Sequence, residues 1–366
     1  MKRVWYLLVM SVLLMSACSE QKEPPSVQPD IEEPTDFAEE PSETQTPYVF
    51  NADPSTFHFI ADWMSDTQIL YVEKSEGFYQ LNYFDIETGE THLVYEDESF
   101  ITDVLVHPSR QYLLIHTSEQ ANSAVVKMIQ LDGTVQHQVE IDSTELAIEW
   151  NRSNPEKILF TAFYEDWSFD LFAFNGRDDN LSIVNLDDPF PKWAGDEWLM
   201  SMMFKGHPLD GGEAQLFQLD TGFIEPKNIE NAIYFDIFED SFVAVQVVDT
   251  EVFAYTIRDL EGTIISEWSL PSVSNYSEWV VPSIEWLDGK RMMFKGAAKS
   301  GQLDEMGTGF NLYHLEEGVP ELLVQGLDAS PLKCSPSGRY CLTGYTSDEL
   351  IEVDAKKKYK WIEFDN

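Results

Sequence analysis

The chain repeats itself at a fixed interval. Ile284-Glu285-Trp286, followed by Met292-Met293-Phe294-Lys295-Gly296, has twin fragments upstream in Ile148-Glu149-Trp150 and Met202-Met203-Phe204-Lys205-Gly206. Phe204 and Phe294 stand two periods of ~45 residues apart, the mark of a repeat architecture. A strand-ending position recurs at Trp63, His107, Trp150, Trp193, Phe238, Trp286 and Cys334. A turn signal follows each, such as Pro108-Ser109-Arg110, Asp288-Gly289 or Ser335-Pro336-Ser337-Gly338. An apolar strand comes next, such as Ile69-Leu70-Tyr71, Met202-Met203-Phe204 or Met292-Met293-Phe294. Third and fourth strands are legible in Gln80–Phe84 and His92–Tyr95. Four short antiparallel strands per ~45 residues make a blade too small to bury its own faces. The expected fold is therefore all-β, a β-propeller of four-stranded antiparallel blades, seven by this spacing and six as the alternative count. A solenoid needs shorter units, and two sandwich domains leave the even spacing unexplained.

Composition agrees with a strand-rich, extracytoplasmic protein. Aromatic residues make up 13% of the chain, and such side chains suit a half-buried pleated surface. The formal net charge is −42. That field repels nucleic acid and anionic lipid, so neither is expected as a partner.

The N-terminus reads as a targeting segment. Lys2 and Arg3 precede an apolar run, Val4 to Met15, shorter than the ~20 residues of a spanning helix. Met15-Ser16-Ala17-Cys18 resembles the bacterial lipobox, with Met where Leu is preferred. The resemblance implies cleavage before Cys18 and acylation of its thiol with palmitate-type chains. Residues 1–17 are then a lipoprotein signal peptide and 57–366 the propeller. Residues 18–56 are the lipidated cysteine and an acidic, proline-rich, disordered tether. From 19 to 56 the chain holds seven prolines and ten acids against the single Lys22, too little apolar surface to offset chain entropy. Tyr48-Val49-Phe50 is the tether's only apolar cluster, free to pack against the last blade. Ser335-Pro336-Ser337-Gly338-Arg339-Tyr340 looks like the turn motif of TolB-like and WD40-like propeller repeats. The whole chain resembles the YqgU-like propeller lipoproteins of Gram-positive bacilli, a family described as six-bladed that brings no established activity.

No catalytic, cofactor or metal site is assigned. There is no Gly-Xaa-Ser-Xaa-Gly elbow, and the seven histidines share no zinc-helix spacing. Asp178-Asp179-Asn180 and Asp187-Asp188 lack the alternating order of a calcium loop. Loop length is the better lead, because binding sites sit in long loops on rigid scaffolds. Ala297–Gly309 and His207–Glu213 should share one rim, with Tyr164–Trp167 a shorter version. Candidate ligand-rim residues are Asp166, Trp167, Asp210, Glu213, Asp304 and Glu305. Cys334 and Cys341 flank a tight turn; a two- or four-residue loop sets them face to face for a disulfide, and a three-residue loop does not. The expected function is a monomeric, membrane-anchored, extracytoplasmic lipoprotein. Its propeller is a non-enzymatic binding or scaffold module for a protein or cell-envelope ligand. The alternative is a propeller enzyme that processes a glycan or peptide with carboxylates at the channel mouth.

Overall fold

The computed structural model describes residues 46–364 apart from 228 and 317. The expected signal peptide (1–17), Cys18 and the expected tether up to residue 45 lie outside the described residues. Seven four-stranded antiparallel sheets form the molecule, each using its strands in chain order from the innermost outward. The innermost strands of blades 1 to 7 are Phe57–Trp63, Phe100–Val106, Glu145–Trp150, Lys192–Trp193, Ala232–Phe238, Ile284–Trp286 and Lys333–Cys334. Six of the seven recurring positions end these strands, and His107 directly follows the other. The second strands are apolar on both sides. In Gln68–Ser75, Ile69 through Val72 are all buried, because each blade lies between two neighbours. Outer strands such as Asn180–Val184 are largely exposed.

One sequence equivalence shifts in three dimensions. Trp193 pairs with Leu199, and Trp286 pairs with Met292. Leu199-Met200-Ser201 therefore occupies the place of Met292-Met293-Phe294, and Met202 takes that of Lys295. Phe294 and Lys295 are buried inside the strand Met292–Ala297, whereas Phe204 and Lys205 are exposed beyond the end of Trp198–Met203. The two Met-Met-Phe-Lys-Gly runs are displaced by three residues. What fixes register is burial of Leu199 and Met200, not the likeness of the letters.

Ring closure joins blade 7 to blade 1. The outer strand of blade 7 is Lys357–Lys360. Trp361 turns inward there and donates from Nε1 to the Ser347 carbonyl at 2.7 Å. Beyond it, Ile362–Phe364 pairs in parallel with Phe50–Ala52. The tether drawn to residue 56 thus overlaps the fold. Phe50 stacks among Tyr71, Phe84 and Trp361, its ring centroid 4.5 Å from that of Tyr71. Across the same seam, Trp63 donates from Nε1 to the Lys333 carbonyl at 2.9 Å. Trp63, Tyr340, Leu342, Trp361 and Ile362 share one buried cluster with Phe50 and Ala52.

The turns sort onto two faces. First-to-second and third-to-fourth strand turns lie on one, which we call the entry face. Second-to-third strand turns and the blade-to-blade connections lie on the other. Tyr48 donates from its backbone to Ile86 in the third-to-fourth turn of blade 1, so the preceding chain joins at the entry face. In blade 7, Cys334 pairs with Cys341, and the Ser335 amide donates to the Tyr340 carbonyl. This four-residue loop sets the two cysteines face to face, and they are disulfide-bonded with Cα atoms 4.0 Å apart.

Removing residues 19–46 should leave thermal stability nearly unchanged, whereas removing 19–52 should lower it by several degrees. Phe50→Ala alone should cost about 3 kcal/mol by cavity formation in the seam. Equal melting temperatures for the two truncations would show that the seam closes without the N-terminal strand.

Candidate functional site

The face opposite the entry face carries the long loops. Ala298–Gly309 of blade 6 and Phe204–Gly212 of blade 4 both join second to third strands, so they share this rim. The connection between blades 5 and 6 ties them together. Its Trp279 donates from Nε1 to the Leu209 carbonyl at 2.9 Å, and its Tyr276 hydroxyl donates to the Asp304 carboxylate at 3.1 Å. Val273–Ser274 of the same connection pairs with Gly301–Gln302.

Each candidate rim residue has a local role. Asp166 accepts from the Ser168 amide and hydroxyl, and these bonds hold its carboxyl below the ordinary range. Trp167 tops that turn with φ of 67°. Asp210 ends the 3-10 turn Pro208–Asp210, and Glu213 accepts from Lys205 at 2.6 Å. Asp304 and Glu305 lie in the 3-10 turn Leu303–Glu305. The structure brings Asp210, Glu213, Asp304 and Glu305 to one arc. Among the described residues no hydrogen bond links Asp166 or Trp167 to that arc.

Exposed aromatic side chains divide unevenly between the faces. The rim face shows Trp167 (92% exposed), Tyr345 (77%), Tyr276 (67%) and Phe190 (60%), with Phe204, Phe100 and Phe78 less open. On the entry face, among the described residues, the large exposed aromatics are Phe223 and Tyr48. Tyr48 is partly spent on Gly89, where an added Cβ would meet its ring at 3.0 Å.

The central channel holds a second constellation, missed at the sequence level. Every blade contributes charge: Asp62, Arg110, Glu149 with Arg152, Lys192, Asp236, Glu285 and Lys333, in blade order. Lys192 pairs with Glu149 at 2.7 Å, and Arg152 with Asp236 at 3.0 Å. Arg152 also donates to the Ile237 carbonyl at 2.8 Å, skipping blade 4 to reach blade 5. Lys333 donates to the Ala61 carbonyl and Arg110 to that of Trp63. Burial opposes charge on Lys192 and Arg152, but Glu149 and Asp236 outweigh it and raise both groups. Burial raises the Asp62 carboxyl against the pull of Lys333 and Arg110. Glu285 is pushed up to about 8, by burial first and then by the charge of Asp62. The sequence signal was present. In Asp62-Trp63, Glu149-Trp150, Lys192-Trp193, Glu285-Trp286 and Lys333-Cys334, a charged residue precedes the strand-ending anchor. Strand alternation points it the other way, into the channel.

Comparison with known proteins places these features in a family setting. The family model described as the YqgU-like 6-bladed beta propeller domain matches residues 85–344. That stretch takes in blades 2 to 6 whole, the outer strand of blade 1 and the first two strands of blade 7. The structure itself has seven blades. The uncharacterized lipoprotein YqgU of Bacillus subtilis (strain 168) is 22% identical over 292 residues, 79% of this chain and 80% of the relative. Among solved structures, the uncharacterized protein lmo1340 of Listeria monocytogenes EGD-e superposes with a TM-score of 0.80 at 18% identity, covering 87% of this chain and 98% of that one. The β-propeller domain of the Trilobed protease from Pyrococcus furiosus gives 0.54 at 11% identity, covering 88% and 100%. Both likenesses are of fold.

The channel makes stability depend on pH. The folded state keeps a proton on Glu285 that the unfolded chain releases above its ordinary 4.5. This favours the fold fully below that pH, and the advantage is lost as pH rises toward 8. Glu285→Gln should come close to the parent near pH 4.5 and exceed it by roughly 4 kcal/mol at pH 8.5, at about 1.4 kcal/mol per pH unit between 4.5 and about 8. Parallel denaturation curves across that range would contradict the buried, protonated carboxyl.

Proposed function

Because the chain belongs to the YqgU-like β-propeller family, we propose that it is a lipoprotein anchored through Cys18, on the outer side of the cytoplasmic membrane. Its propeller binds a protein or cell-envelope ligand without catalysis. The relative named a lipoprotein supports the anchorage. Two acyl chains on one diacylglyceryl unit suffice for stable attachment. The observation that carries the binding role is the uneven display of aromatics. Trp167, Phe190, Tyr276 and Tyr345 are all exposed on the rim face, while the N-terminal chain enters on the other. Aromatic residues are enriched at interaction surfaces relative to the rest of a protein surface.

One observation favours the second reading, an enzyme. Asp62 and Glu285 are carboxyl groups raised in the same channel, which resembles the paired acids of hydrolases. Against it, Arg110, Arg152, Lys192 and Lys333 crowd the same space, and two of the four acids are consumed in ion pairs.

Two measurements test the proposal. Cys18→Ala should release the chain from the membrane fraction or leave it unprocessed. A photo-crosslinking amino acid placed at position 167 or 345 in the host should capture a discrete partner, and one at position 223 should not. Capture from position 223 alone would assign binding to the entry face and sink the reading.

A further inference from the structure

We propose that the cleft between blades 5, 6 and 7 on the rim face is a receptor for a basic peptide segment, which it grips by a lysine or arginine side chain. This deepens the binding role above and rests on it. The cleft measures 620 Å³ and is lined by Asn275, Tyr276, Asp304, Thr308, Asp328 and Tyr345, together with Leu303, Gly307 and Ala329. Its volume falls within the ordinary range of ligand pockets.

The lining has the chemistry of a cation cage. Tyr276 and Tyr345 are the most open tyrosines of the described chain, and ring faces attract ammonium and guanidinium groups. Tyr276 is held in place before any ligand arrives. Its backbone sits at φ of 73°, its amide donates to Gln302 Oε1 at 3.1 Å, and its hydroxyl is fixed on Asp304. Asn275 braces the turn by donating to Glu278 at 2.7 Å. An exposed aromatic in a left-handed backbone conformation, pinned at three points, costs free energy that nothing in the packing core recovers. Such a ring loses little freedom when it binds.

Charge selects the occupant. The lining has two carboxylates and no cationic side chain. Lys295 is buried behind Asp328 and donates to the Ser330 and Thr343 side chains and the Ser330 carbonyl. Burial lowers it to about 8. Asp328 lies 3.8 Å from that ammonium and also accepts from Ser330, so Asp304 is the freer acid. Glu305 adjoins it on the exposed turn. The net charge of −42 draws basic partners from a distance. An anionic ligand is disfavoured at both ranges.

The test titrates full chain carrying Cys18→Ala with tetralysine and with a neutral N-acetylglucosamine tetramer, by calorimetry at two salt concentrations. Tetralysine should bind, more weakly at higher salt. Tyr345→Ala and Asp304→Asn should each weaken it at least ~five-fold, and Phe223→Ala on the entry face should not. Both cleft variants keep the backbone, and unchanged melting temperatures confirm an intact fold. Tetralysine binding that ignores both variants would reduce the effect to the diffuse field and overturn the proposal. So would absence of binding, or Tyr345-dependent binding of the neutral saccharide alone. Crosslinking from position 167 reads the rim-face role separately, so failure here and failure there are distinguishable.

Discussion

A four-stranded blade has apolar side chains on both faces, and each face must be covered by a neighbour. Within the chain, six of the seven contacts follow from covalent succession. The contact of blade 7 with blade 1 does not, and an unsealed ring would leave two apolar faces open to water. Here Trp63, Tyr340 and Trp361 fill the gap between the blades, and Phe50 and Ala52 cap it from the N-terminal strand. The parallel pairing of Phe50–Ala52 with Ile362–Phe364 covers backbone that would otherwise be an edge. Every blade's burial depends on this seam, because sliding it open loosens the stack on both sides.

Periodicity made most of this legible in the sequence. Anchors such as Trp150 and Trp286 end their strands because an inner-strand terminus needs a bulky side chain between blades. What the letters could not settle was register. The two Met-Met-Phe-Lys-Gly runs look equivalent, yet one holds Lys295 in the core and the other leaves Lys205 in solvent. Apolar letters alone do not say which residue faces inward when the flanking positions are apolar too. Counting strands put the two long second-to-third-strand loops on one rim, as the structure has them. The cleft was not visible, because Tyr276 and Tyr345 belong to connections whose paths depend on tertiary contacts such as Trp279 with Leu209. The channel charges escaped notice for a different reason: they are single residues, unlike in type, at equivalent places.

The electrostatics of the molecule are divided. The surface is strongly acidic, while in the channel Asp62, Glu149, Asp236 and Glu285 face Arg110, Arg152, Lys192 and Lys333, contributed by all seven blades. Ion pairs in such a confined space give little net stability, since desolvation offsets most of their attraction. They do fix which blade lies next to which, since each pair has only one complementary arrangement. Lys192 with Glu149 and Arg152 with Asp236 join blades 3, 4 and 5 in a way that a uniformly apolar channel would not specify.

The seam also sets the order in which the molecule can be completed. Trp63 and its acceptor Lys333 are 270 residues apart, so this is among the most non-local contacts in the chain. Contacts of this kind form last, because the entropy of closing so long a loop must be met before they return any stability. A chain emerging end-first carries the Phe50 strand from the outset but has nothing for it to pair with until Ile362 arrives. Blades can stack one on another as they emerge, yet the structure remains an open arc, sensitive to proteases and to other sticky edges, until Ile362–Phe364 is free to pair. The strand Ile362–Phe364 is therefore a latch, and its removal should act on the yield of closed molecules more than on the shape of any one blade.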